Sequence, residues 1–171
     1  MIETQLANES LSLIRESARD FAERFLRPHI MDWDESQHFP KETLQEMGKF
    51  GLMGVLVPED LGGAGLGYQE YITVIEEIAK VDPSVGLSVA AHNSLCSGHI
   101  HQFGDDIQKA KYLSKLASGE WIGAWGLTEP NTGSDSMRMQ CTAVRDGDHY
   151  ILNGNKLWIT HGISAEVAVV L

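Results

Sequence analysis

The sequence predicts an α+β chain. An N-terminal all-α helical domain over residues 1–121 is followed by the opening part of an antiparallel β-barrel or sandwich domain over residues 122–171. Three observations carry this. Apolar residues recur at steps of three and four through the first two-thirds of the chain, the period of one helix face. After Gly119 that period gives way to short apolar runs punctuated by Gly147-Asp148 and Asn153-Gly154, pairs that favour hairpin turns. The length of 171 residues, with 43 % apolar and 22 % charged side chains, suits a globular chain of about one domain and a fraction.

The elements follow in order. Leu11, Ile14, Ala18, Phe21, Ala22, Phe25 and Leu26 share a helix face that Pro28 ends. Pro40 opens a short helix carrying Leu44, Met47 and Phe50, with Gly51 beyond it. Ile72, Ile75, Ile78 and Ala79 mark a helix from about Gly67 to Val81. Asp82-Pro83 is a cap followed by a first-turn proline, and opens a helix reaching about Phe103. Asp105 or Asp106 caps one more, with Ile107, Ala110, Leu113 and Leu116, ended by Ala117-Ser118-Gly119. Strands are expected at Ile122–Leu127, Met139–Val144, His149–Leu152, Lys156–Thr160 and Ala165–Leu171. The apolar run at the end reads as a buried strand, which needs pairing partners. The expectation is therefore a front part of something longer, or a partner that completes the sheet.

Charge and composition exclude several functions. Thirteen Lys and Arg against 24 Asp and Glu leave a net charge of −11 and no basic stripe, so a phosphate backbone is repelled and no nucleic-acid partner is expected. No apolar run is long enough to span a membrane. Residues Met1–Ser10 have neither a basic end nor a hydrophobic stretch, so no signal peptide is expected. The two cysteines, Cys96 and Cys141, are too few for a disulfide framework and read as reduced thiols in a cytoplasmic protein.

Two motifs are set aside. Gly54–Val57 followed by Gly62–Gly67 and a helix mimics a dinucleotide fingerprint, but the sixth position counted from Gly63 is Tyr68 and Pro58-Glu59-Asp60 intervenes, so it reads as a plain flexible loop. His92, Cys96 and His99 share a helix face, yet positions i and i+7 lie about 10 Å apart along the axis and cannot easily converge on one ion. No metal is expected, and this helix instead lines a pocket or packs against a neighbour.

The informative stretches lie further on. Gly126–Asp135 ends a strand and makes a turn of small residues and backbone donors, the kind of loop that offers amides to a polar ring edge or a phosphate. Lys156–Gly162 follows with Trp158, a broad flat surface, and Thr160, a hydroxyl two residues along on the same expected strand face. Donors on one side and an aromatic plus hydroxyl on the other suit a planar heteroaromatic cofactor.

These two stretches resemble the signatures of the acyl-CoA dehydrogenase family: Leu-Thr-Glu-Pro-x-x-Gly-Ser-Asp, then Asn-Gly-x-Lys-x-Trp-Ile-Thr, at the expected separation. The resemblance extends to Glu70–Asp82, Gln108-Lys109 and Tyr112-Leu113, and His92–Leu95 is similar to short-chain and branched-chain members. It implies a flavoprotein oxidoreductase of fatty-acid β-oxidation or amino-acid catabolism that uses FAD to convert a short or branched acyl-CoA to the trans-2-enoyl-CoA. A carboxylate takes the α proton while the β hydrogen leaves as hydride. By the same resemblance Trp125, Leu127 and Thr128 contact the flavin's pyrimidine side, and Gly133 and Ser134 reach the phosphate region, with Ser134 also near the acyl-CoA. Trp158 covers a flavin face, and Ile159 and Thr160 bond near N5 and O4. Glu129 is expected to hold the turn. An electron-transfer flavoprotein as acceptor and a tetramer for the full-length protein are also implied.

Two departures matter. His161 stands where the family commonly has asparagine. The family's C-terminal helical domain, with its catalytic glutamate, has no counterpart in these residues, so no catalytic base is assigned and the 171-residue chain alone is expected to be inactive. The alternatives are a non-catalytic helical and β protein-binding module, or a related flavoprotein oxidase or oxygenase of the same fold.

Overall fold

In the computed structural model the backbone of residues 2–171 and the side chains of residues 9–171 are described; most of the Met1–Ser10 segment considered above lies outside those side chains. The first helix, α1 (Ile2–Phe21), runs on through a π-helical turn at Ala22–Leu26. Next come α2 (Ile30–Ser36), α3 (Lys41–Lys49), α4 (Tyr68–Val81) and α5 (Pro83–Ala90). The last of these continues through a π-helical segment, Ala91–Ser97, into α6 (Gly98–Phe103), and α7 (Asp106–Ala117) closes the helical part.

Local chemistry sets these bounds. Asp82 caps α5 by accepting from the Ser84 and Val85 amides, and Asp105 and Gln108 form a reciprocal capping box on α7. The expected helix from Asp82 to Phe103 forms, but with a π-helical middle. Helix α2 was not anticipated. None of its residues is fully buried, and only Ile30 and Trp33 lean on the core, too few contacts to set a readable period.

One core cluster joins Phe21, Leu44, Met47, Ile78 and Val89 from α1, α3, α4 and α5 with Leu26 of the π-helical turn and Met53 of the loop after α3. Across it, Glu77 on α4 is 2 % exposed and receives Arg15, Arg19 and Lys80. A second cluster, containing Val57, Cys96, Ile100, Leu113 and Leu116, packs against Trp121, Val167 and Val169 and so docks the strands on the helices.

The strands are β1 (Gly123–Gly126), β2 (Thr142–Asp146), β3 (His149–Asn153) and β4 (Val167–Val170). As the Gly147-Asp148 turn predicts, β2 and β3 pair as an antiparallel hairpin. β1 pairs with β4 in parallel, Gly123 opposite Val167; the long intervening segment permits the crossover that parallel pairing requires. β4 is half-buried rather than buried, because Val167 and Val169 face the second cluster while Ala168 and Val170 face outward.

Three expectations need correction. Lys156–Thr160 is not a strand: Trp158 adopts a left-handed backbone with φ of 59°, so Trp158 and Thr160 do not share a strand face. Gly54–Val57 is folded into turns, since the Val55 amide is taken by Asn93 Oδ1 and the Leu52 carbonyl by Asn93 Nδ2. The glycine loop after it is not flexible. Ala64, Gly65 and Leu66 donate back to Gly54, Val57 and Val55, and a Cβ on Gly63 would sit 2.0 Å from the Val57 carbonyl oxygen. Among the described residues no helix is long and apolar enough to cross a membrane.

Candidate cofactor site

The site grows from the start of β1. Gly123 packs so closely on the π-helical segment that a Cβ there would meet Cys96 Sγ at 2.5 Å. This approach lets the Gly123 N–H donate to His92 Nδ1 at 3.0 Å, while the Gly123 carbonyl accepts from His161 Nδ1 at 2.9 Å. An amide can only donate, so His92 Nδ1 is bare and its Nε2–H donates to the Leu116 carbonyl at 3.0 Å. Burial pushes the His92 pKa down to about 4 and also lowers that of His161. Both His92 nitrogens are therefore used by backbone. His92 and Cys96 face β1 and α7, not a pocket, and among the described residues no group of His, Cys, Asp and Glu is placed to hold a metal.

β1 ends in the turn read above as a donor loop. Glu129, 6 % exposed, fastens it: its carboxylate accepts from the Gln140 and Cys141 amides at 2.6 and 2.9 Å and from Lys156 Nζ at 2.8 Å. The Lys156 ammonium, followed by the two amides, holds the carboxyl down to about 2. Lys156 also donates to the Leu127 carbonyl, and the Leu157 amide donates to the Thr128 carbonyl at 2.8 Å. This stitching brings the Trp158 segment beside the end of β1 without a regular strand ladder.

The result is a cavity of about 160 Å³ lined by Ala91, Leu95, Trp125, Leu127, Thr128, Trp158, Ile159 and Thr160. Six residues singled out in the sequence thus meet in one place. Gly133 and Ser134 do not line this cavity; they sit on the adjoining turn, where Ser134 is exposed. Ala91 and Leu95 were not singled out, though their i, i+4 spacing beside His92 would have found them. His99 instead meets Trp125 in a tilted contact, ring centroids 5.6 Å apart, and lines a separate cavity of about 480 Å³ between α6, α7 and β4.

The donor set fits a planar heteroaromatic ring edge. The Thr128, Ile159 and Thr160 amides and both threonine hydroxyls meet no protein acceptor among the described residues. Trp158 is 90 % exposed beside them, its left-handed backbone costing about 1–3 kcal/mol, so an indole face stands free at the cavity mouth. The volume falls below the roughly 300–1,000 Å³ of closed ligand pockets, so these residues form an open wall. None of the lining residues carries a carboxylate, so the cavity has no general base of its own.

Residues 8–120 match the acyl-CoA dehydrogenase N-terminal domain and residues 124–171 match the acyl-CoA dehydrogenase middle domain. The chain belongs to the acyl-CoA dehydrogenase family. It is 45 % identical over 158 residues to the short-chain-specific acyl-CoA dehydrogenase of Clostridium acetobutylicum, covering 92 % of this chain and 42 % of that protein. Mitochondrial isovaleryl-CoA dehydrogenase of Bos taurus is 44 % identical over 165 residues, covering 95 % of this chain and 39 % of its own length. A glutaryl-CoA dehydrogenase of Mycobacterium smegmatis, solved in complex with FADH2, superposes with a TM-score of 0.89 at 36 % identity, over 94 % of this chain and 42 % of that one. The chain thus spans about two-fifths of the length of these family members.

Proposed function

We propose that this chain supplies the flavin-binding wall of an FAD-dependent dehydrogenase that converts short or branched acyl-CoA thioesters to trans-2-enoyl-CoA. The observation that carries the reading is the meeting of Trp125, Leu127, Thr128, Trp158, Ile159 and Thr160 around one cavity whose amides and hydroxyls are unspent. It is supported by the relatives, which include a short-chain acyl-CoA dehydrogenase and an isovaleryl-CoA dehydrogenase, and by a structural neighbour that binds FADH2.

In this reading residues 1–121 are the helical domain and residues 122–171 the first part of the β domain. When bound, FAD supplies the acceptor for the hydride that leaves the acyl β carbon. Thr128, Ile159 and Thr160 donate to its polar edge, where donors stabilise charge that grows as the ring is reduced. Trp158 covers a ring face, and Gly133 and Ser134 serve the phosphate region, Ser134 also approaching the acyl-CoA. Ala91 and Leu95 bound the acyl side. The proton-abstracting carboxylate lies outside these residues. An electron-transfer flavoprotein accepts the electrons, and the complete enzyme assembles as a tetramer.

The test is titration of the purified protein with FAD, followed by visible absorption and thermal shift. Saturable yellow binding with raised thermal stability is expected; a protein that stays colourless and unshifted rejects the reading in favour of a non-catalytic binding module.

A further inference from the structure

The three walls of the small cavity each lie one or two residues from a single hydrogen-bonded chain. Ala91 precedes His92, Trp125 lies two residues beyond Gly123, and Thr160 precedes His161. We propose that the His92–Gly123–His161 chain is the positioning device of the cofactor cavity, fixing the helix, the end of β1 and the Trp158–Thr160 segment relative to one another, with His161 as its adjustable end. The inference rests on the flavin reading of that cavity.

The geometry is over-determined at one end and sparse at the other. His92 is fully buried, and its ring spans from the Leu116 carbonyl on α7 to the Gly123 amide. Gly123 can come this close only because it lacks a Cβ. On the other side, the backbone link from the Trp158 segment to the end of β1 is Leu157 N–H to the Thr128 carbonyl. Beyond it, His161 turns left-handed, with φ of 64°, and reaches back to the Gly123 carbonyl. Its own carbonyl accepts from the Ser164 and Ala165 amides, and its ring sits 5.4 Å from Phe39. His161 Nε2 is buried with no partner. The polar contribution of the ring is thus the Nδ1 bond to Gly123, set against the cost of a buried, unpaired Nε2.

That distinction sets the test. In His161→Asn the side-chain amide nitrogen falls about where Nδ1 does, so the donor to Gly123 persists and the orphan nitrogen goes. His161→Leu keeps the bulk and removes the donor, leaving the Gly123 carbonyl unpaired. FAD affinity and the visible circular dichroism of bound flavin are measured on the purified wild-type protein and both variants, with far-ultraviolet circular dichroism to confirm folding. His161→Asn is expected to match wild type in both readouts, and His161→Leu to bind about tenfold more weakly with an altered flavin band. Wild-type affinity and an unchanged band in His161→Leu overturn the inference, as does an Asn variant no better than the Leu variant.

Nitrogen-15 shifts of the wild-type imidazoles, together with backbone amide shifts of the two variants, give a second measurement that needs no FAD. The chain requires a proton on His92 Nε2 and on His161 Nδ1, and amide shifts at Leu127 and Thr128 that move in His161→Leu but not in His161→Asn. The opposite tautomer on either ring overturns it. If the wild-type protein takes up no FAD, the cofactor reading falls, and the chain is judged on tautomers and amide shifts alone.

Discussion

Lys156 Nζ lies 2.8 Å from Glu129 Oε1, with both side chains almost wholly buried, and this contact joins the two signature stretches of the chain. It holds the two stretches together although they form no strand pair. Glu129→Gln keeps the shape but removes the charge that Lys156 and the Gln140 and Cys141 amides address. The expected outcome is a lower melting temperature together with weaker FAD retention. A variant with wild-type values of both refutes the pairing as the brace of the site. The pH sign follows from the lowered pKa: the contribution is complete above about 4.5 and is lost as pH falls toward 2.

Trp158 separates binding from stability. It is 90 % exposed and left-handed, so it adds little to the fold. Trp158→Gly should leave stability unchanged within about 0.5 kcal/mol, or raise it by relieving the backbone. FAD affinity should fall about tenfold through the loss of a stacking face. Denaturant melts and a flavin titration on the same preparation decide this; a large loss of stability would place the indole in the core instead.

His92 gives an acid-sensitive fastening. Its pKa near 4, against 6.5 unperturbed, means that the fold prefers the neutral ring. That stability is fully present above about 6.5 and is lost as pH falls through 4, a loss of about 3 kcal/mol. His92→Asn retains an acceptor for the Gly123 amide and does not titrate. It should be less stable than wild type at neutral pH and show a flatter stability profile between pH 6.5 and 4. Equal slopes for the two proteins would remove His92 from the acid response.

Glu77 is the counterpart among the carboxylates. Burial alone would raise its pKa, but hydrogen bonds from Arg19, Lys80 and Arg15 overcome this and hold it to about 2. Stability from this group is present above about 4.5 and disappears as pH falls toward 2. Glu77→Leu, which removes the buried charge altogether, should cost less than Glu77→Ala, which also leaves a cavity. Urea melts of the two variants rank them, and the reverse order would show that the site does not accommodate a branched apolar side chain in place of the carboxylate.

The 171-residue chain by itself should not dehydrogenate acyl-CoA. No carboxylate lines the cavity, and removal of the α proton needs a base within hydrogen-bond reach. Turnover of butyryl-CoA with an artificial electron acceptor measures this. Rates comparable to a complete family member would place the base among these residues and overturn the assignment.

The sequence by itself determined the helices that bury a periodic face, the cap at Asp82, a cap at Asp105 or Asp106 that the structure places on Asp105, the β2–β3 hairpin and the family, because each is encoded within a few adjacent residues. It also named six of the residues that meet around the cavity. Helix α2 has no readable period because only Ile30 and Trp33 lean on the core, and Lys156–Thr160 departs from the expected strand because a left-handed Trp158 has no local signature. Only the tertiary structure decided that β1 and β4 pair in parallel, that Ala91 and Leu95 complete the cavity, and that His92 and His161 close on Gly123. Those contacts join residues 31 and 38 positions apart, and they form only when packing of Cys96 against a side-chain-free Gly123 brings helix and strand within hydrogen-bond reach.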